Sequence, residues 1–214
     1  MLKRKRLKDM KRLFAWILAV SILTGCNQQD TPAEGEMVPP LPPAAKLEPF
    51  DDGSGVVRVT VYDAGGTVVE QGYYRNGYRE GTYTTFGDKG IIKTITGYVH
   101  GKKEGQEVVI NKNGQLEERY TYHNGQLDGP YIKFNRNRLK ETRDYVNGKL
   151  HGKIEKFYPN GKVMERSYYV DGKMHGIARW YDREGNNTIA YEYKNGELVG
   201  EAELEAAPEP EANQ

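Results

Sequence analysis

Between Val57 and Gly200 the apolar and aromatic residues come in short bursts separated by glycine-containing breaks, and none holds the three-to-four spacing of a helical stripe. Segments such as Val163-Met164-Glu165-Arg166-Ser167-Tyr168-Tyr169 are short and rich in Tyr and apolar residues, which predicts strands. The breaks are regular. Asn76-Gly77, His100-Gly101, Asn124-Gly125, Asn147-Gly148, Asp171-Gly172 and Asn195-Gly196 supply the paired positive-φ residues of a tight hairpin. Successive glycines of this series are 24, 24, 23, 24 and 24 residues apart. Each has a partner four positions on, at Gly81, Gly105, Gly129, Gly152, Gly176 and Gly200. A second series, Gly66, Gly90, Gly114, Gly161 and Gly185, keeps the same period. Its missing member falls in Asn135-Arg136-Asn137-Arg138, where the 23-residue step also lies, so an altered turn is expected there.

Aromatics follow the same register. Tyr74, Tyr98, Tyr122, Tyr145, Tyr169 and Tyr193 precede the first turns, and Tyr62, Phe86, Ile110, Phe134, Phe157 and Tyr181 precede the second. Two strands in 24 residues leave no room for a crossover helix, so neighbouring strands must be antiparallel. The expected fold is all-β: an elongated single-layer antiparallel β-meander of repeated hairpins, with about a dozen strands. Charge on both faces of the strands, as at Glu165 and Arg166, and a mean hydropathy of −0.80 argue against a thick apolar sandwich.

The ends of the chain differ from its middle. Residues 1–25 begin with seven basic side chains, continue through an apolar run from Leu13 to Leu23, and read as a secretory signal. That run is shorter than the ~20 residues of a bilayer span. Residues 26–56 carry one Lys against six acids and many prolines, the composition of a tether. Residues 57–205 are the repeat domain, and residues 206–214 form a Pro- and Glu-rich acidic tail. Glu201, Glu203 and Glu205 alternate along the last expected strand, a pattern that discourages edge-to-edge association. Residues 57–200 hold 23 basic against 18 acidic side chains, too even a balance for a nucleic-acid-binding protein.

Leu23-Thr24-Gly25-Cys26 resembles a bacterial lipobox, which implies diacylation of Cys26, the single cysteine of the chain. With no second cysteine, no intramolecular disulfide can assist folding. Asn27 beside it implies, by the same resemblance, the outer membrane of a bacterial envelope, on its periplasmic or outer face. The phrases Gly152-Lys153-Ile154-Glu155-Lys156-Phe157-Tyr158-Pro159-Asn160-Gly161 and Tyr169-Val170-Asp171-Gly172-Lys173-Met174-His175-Gly176 resemble the MORN-repeat variant, including proteins labelled YwqK-like antitoxins. That resemblance covers residues 57–200 in six copies, and implies hairpin repeats used for binding, membrane association or scaffolding. Tyr181-Asp182-Arg183-Glu184-Gly185-Asn186 also resembles a YD repeat, whose family lacks the second glycine turn present here.

Candidate chemistry is sparse. The glycines are not followed by helices, so they read as turns and not as phosphate loops. His151 and His175 share a column with Glu80, Glu104 and Asp128. Residues two strands apart stand ~9.6 Å from one another, too far for one zinc ion, and no metal or cofactor is expected. Every acid near a turn has copies in other repeats, so the unique constellation of an enzyme is not expected. Tyr73, Tyr78, Tyr83, Tyr131 and Trp180 fall outside the two aromatic columns and are the candidates for ligand contact. The expected function is a non-enzymatic binding or scaffold module, held to a membrane by its N-terminal lipid and engaging a protein partner. An antitoxin that neutralises a toxin, or a cell-wall glycan binder, are the alternatives.

Overall fold

The computed structural model describes residues 45–205. Its strands are β1 Ala45–Pro49, β2 Val56–Tyr62, β3 Val68–Arg75, β4 Tyr78–Phe86, β5 Ile92–Val99, β6 Lys102–Ile110, β7 Leu116–His123 and β8 Gln126–Leu127. They continue as β9 Gly129–Asn135, β10 Arg138–Val146, β11 Lys149–Phe157, β12 Val163–Val170, β13 Lys173–Met174, β14 Gly176–Tyr181, β15 Asn187–Lys194 and β16 Glu197–Glu201. All belong to one open antiparallel sheet ordered as in the sequence, with β8 and β13 as short leading pieces of β9 and β14. Among the described residues there is no α-helix, and only one 3-10 turn at Asp88–Gly90.

Two boundaries differ from the sequence expectation. The sheet begins at β1, inside the stretch expected to be tether, and β1 pairs with β2 from Ala45↔Val61 to Pro49↔Val57. Composition misled there, because an edge strand tolerates Pro49, whose missing N–H no ladder needs. At the other end β16 stops at Glu201, so Glu203 and Glu205 do not alternate on a strand. Instead Glu205 turns back, accepting a hydrogen bond from the Tyr181 hydroxyl at 2.7 Å, while its own amide donates to Asn187 Oδ1 at 3.0 Å.

The second glycine of each repeat has a specific purpose. Gly81, Gly105, Gly129, Gly152 and Gly176 stand directly opposite Tyr98, Tyr122, Tyr145, Tyr169 and Tyr193. Opposite glycine, the tyrosine ring can cover backbone that a Cβ would otherwise occupy. The glycines adopt positive φ, for example +103° at Gly152, within bulges that place three residues against one. Between β5 and β6, Gly97 faces such a bulge, and a Cβ on it would lie 2.3 Å from the Glu104 carbonyl oxygen. Gly200 departs from the series: it lies in β16 without positive φ.

Adjacent hairpins are stitched at one edge of the sheet. The amides of Gly101, Gly125, Gly148, Gly172 and Gly196 donate to the carbonyls of Arg79, Lys103, Leu127, Leu150 and Met174 at 2.7–2.9 Å. The opposite edge carries five-residue turns, closed in each case by the first amide donating to the fifth carbonyl, as from Asp63 to Thr67 and from Tyr158 to Lys162. The expected exception is present. Asn135 pairs directly with Arg138, and Arg136 (φ 51°) with Asn137 (φ 62°) makes the whole turn.

Register also separates the faces. One column of Val59, Tyr83, Glu107, Tyr131, Ile154 and Ala178 is buried throughout, down to 1% exposure at Val59 and 0% at Ala178. Its members are 24, 24, 24, 23 and 24 residues apart. The tyrosines opposite the glycines share its face. Tyr62, Phe86, Ile110, Phe134, Phe157 and Tyr181 each follow a member of that column by three residues, which puts them on the other face. The two aromatic columns seen in the sequence therefore lie on opposite sides of a single layer.

Candidate binding surfaces

On the face of the buried column, aromatic rings and cations interleave. Tyr83 meets Tyr74 and Tyr98 edge-on, with centroids 6.1 and 6.2 Å away. The Arg79 guanidinium lies 4.2 Å from the Tyr83 ring centre and 5.3 Å from that of Tyr98. Further along, Lys103 sits over Tyr122 and Arg143 over Tyr131. The Tyr83 hydroxyl donates to Glu70, and those of Tyr120 and Tyr131 donate to Glu118. Burial, reinforced by these carboxylates, pushes the Tyr83, Tyr120 and Tyr131 hydroxyls well above the ordinary tyrosine value.

Beside the rings runs a ladder of alternating charge, Glu118↔Lys133↔Glu141↔Lys156↔Glu165, one residue from each successive strand. Lys133 is 2.6 Å from Glu118, and Lys156 is 2.9 Å from Glu165. Burial works to raise the Glu118 carboxyl, but the hydrogen bonds from Lys133 and Tyr120 outweigh it and hold the group below its ordinary value. The opposite face repeats the device at Glu155, where burial is outweighed by Lys153 and Arg166, at 2.9 and 2.8 Å. The acids of these clusters, Glu70, Glu118, Glu155 and Glu165, each meet a cation or a hydroxyl.

Two of the five expected contact residues are corrected by this geometry. Tyr83 and Tyr131, at 4% and 6% exposure, belong to the buried column and pack within the sheet. Their period was hidden in the sequence because the column changes identity from Val to Tyr to Glu to Ile to Ala. Tyr73 packs against Phe50, Trp180 stands edge-on to Tyr191, and Tyr78 begins β4; all three remain half-buried. Cys26 lies outside the described residues.

Two acids of the acid and histidine column serve the turns. Glu80 Oε2 accepts the His100 amide at 3.0 Å, and Glu104 Oε2 accepts the Asn124 amide at 2.8 Å, so each carboxylate caps the next repeat's hairpin. The Asn124 amide and then His123 lower the Glu104 carboxyl, and His123 is raised in return by Glu104. Among the described residues no three His, Cys, Asp or Glu side chains converge as a metal site would require.

Comparison with known proteins bears on the repeat alone. Residues 150–171 match the family described as MORN repeat variant, so the chain carries a repeat of that type. No curated protein matches the chain. Among solved structures it is similar to a S. aureus TarM mutant in complex with Fondaparinux, alpha-GlcNAc-glycerol and UDP, with 13% identity and a TM-score of 0.27, covering 74% of this chain and 22% of that one. It is also similar to a second TarM structure, at 14% identity and a TM-score of 0.26, covering 74% and 21%. A Glycosylation Associate Protein complex from Streptococcus agalactiae gives 14%, a TM-score of 0.20, and coverage of 70% and 22%. The chain spans about a fifth of the length of these proteins, and at such scores the similarity carries no argument about function.

Proposed function

We propose that the protein is a lipid-anchored bacterial envelope module that binds or scaffolds a protein partner through its sheet surface, without catalysis. The observation behind this reading is the even spread of its polar groups: many are engaged in repeating cross-strand pairs and turn caps, which supports a broad contact surface over a reacting centre. The anchor rests on Leu23-Thr24-Gly25-Cys26 and on the acidic, Pro-rich residues that follow, with Asn27 favouring the outer membrane. Several acyl chains hold a protein stably where one does not. No helix among the described residues is long and apolar enough to cross a membrane.

Palmitate labelling of growing cells tests the anchor: the label is expected on the wild type and absent in Cys26→Ser, and label retained by the variant rejects it. Crosslinking on intact cells, followed by affinity capture, tests the partner. Recovery of one protein at a constant ratio is the expected result, and recovery of nothing specific rejects the scaffold. The YwqK-like antitoxin reading draws on the repeat at residues 150–171. It requires that deleting the gene release the toxicity of a co-encoded protein.

A further inference from the structure

The repeat is broken at one place, and the break has a chemical consequence. Five turns of the second series span five residues, whereas Asn135–Arg138 closes with two, Arg136 and Asn137. The hairpin tip is thereby shortened beside the full-length turn that runs from Tyr158 to Lys162. Between the two lies an open notch of about 500 Å³. Its walls include Arg136, Arg138, Lys140, Phe157, Tyr158 and Pro159, and among the described residues no carboxylate lines it.

The three cations differ from those of the charge-paired ladders on the two faces. Lys103, Lys133, Arg143, Lys153, Lys156 and Arg166 each have a carboxylate partner. None of Arg136, Arg138 and Lys140 forms an ion pair among the described residues. Only Arg138 is restrained, donating from one terminal nitrogen to the Pro159 carbonyl at 3.1 Å. Deleting a turn residue thus coincides with three unmatched positive charges beside an aromatic and proline wall.

We infer that this notch binds an anionic sugar, a ring bearing carboxylate or phosphate, by charge from Arg136, Arg138 and Lys140 and by apolar contact with Phe157, Tyr158 and Pro159. Guanidinium groups pair with carboxylate and phosphate through two parallel hydrogen bonds, which favours such oxyanions. Phe157, Tyr158 and Pro159 offer apolar carbon that can contact the C–H face of a sugar ring. The volume falls within the roughly 300–1,000 Å³ of small-molecule sites. The inference rests on the proposal that the body is a binding module, and it assigns a ligand class to one place on it.

Calorimetric titration of the whole mature protein with trigalacturonate, against neutral cellotriose, tests it. Saturable binding of the acidic trimer is expected, weaker in high salt, with cellotriose binding at least about tenfold more weakly, as the loss of charge-assisted pairing requires. Replacing Arg136, Arg138 and Lys140 together by Gln is expected to abolish it. Inserting Gly after Asn137, which restores a longer turn, is expected to weaken it while the melting temperature stays that of the wild type. Equal affinity for the two sugars, no binding of the acidic trimer, or binding that survives the triple substitution overturns the inference. So does binding seen only with anionic phospholipid vesicles or with a phosphopeptide. None of these outcomes touches the anchor or the protein partner, which palmitate labelling and crosslinking test separately.

Discussion

At the scale of single residues, the sheet is sensitive where backbone and side chain have no slack, and indifferent on the exposed turns. Gly97→Ala would set a Cβ 2.3 Å from the Glu104 carbonyl, a backbone atom that cannot swing aside. Overpacking of this kind costs about 1–3 kcal/mol, and the melting temperature is expected to fall by several degrees in a calorimetric scan. Ser167 behaves in the opposite sense. It is buried to 1% exposure, and its hydroxyl has no hydrogen-bond partner among the described residues. Ser167→Ala removes an unpaired polar group at little cost in volume, so a gain of about 1 kcal/mol is expected, read as a higher denaturant midpoint at unchanged slope. A loss would mean that the hydroxyl is satisfied after all. The glycine turns were legible in the sequence because only a few residue types accept positive φ, and the six Asn-Gly-like pairs announced themselves. Ser167 was not legible: nothing in its neighbours marks a position where the layer closes over a side chain.

At the scale of strands, stability depends on charge paired across neighbours. Glu118 and Glu155 are held below their ordinary carboxyl value of 4.5 in the fold. A folded-state value that is lowered contributes stability that is complete above the ordinary value and is lost as pH falls through the folded one. The melting temperature is therefore expected to be flat between about pH 6 and pH 5 and to drop below pH 4, with a shallower drop in Glu118→Gln. An identical acid profile in that variant would remove Glu118 from the account. The raised His123 contributes in the reverse direction, in full below its ordinary value of 6.5 and fading as pH rises through its folded value. Strand existence and order were legible, since the twelve-residue alternation of turns allows no other path. The faces were harder to see. Tyr98 and Phe86 look equivalent in a list of aromatics, yet their register puts them on opposite sides, and Tyr83 hides in a column whose other members include Val59 and Glu107. Tertiary burial, not residue type, defines that column. β1 escaped for a related reason: an edge strand needs only one row of hydrogen bonds, so a segment with Pro49 can supply it.

At the scale of the whole sheet, every strand on the main path pairs only with the strands before and after it, so stability should add repeat by repeat. The two halves of a repeat are not interchangeable, however. Turn-to-turn amide bonds such as Gly172 to Leu150 belong to one edge, and the five-residue turns to the other. Excision of residues 148–171 removes one whole repeat and joins Asn147 to Gly172, recreating a first-series turn with every later strand in its original direction and face. This variant is expected to fold with an unchanged sheet signature in circular dichroism. Its urea dependence should fall in proportion to the surface lost, because that slope follows the area exposed on unfolding. Excision of twelve residues, 148–159, removes one strand and one turn, and joins Asn147 to Asn160-Gly161. Every later strand then runs in reverse, Tyr169 loses Gly152 from the facing strand, and the glycine bulge at Gly176 that belongs with Tyr193 moves to the wrong edge. The stitching bonds between hairpins lose their partners at the junction, and unfolding is expected to split into two transitions or to begin at a much lower denaturant concentration. If both excisions unfold as one transition of equal midpoint, the unit of this fold is the single strand with its turn, and the 24-residue repeat is only a habit of the sequence.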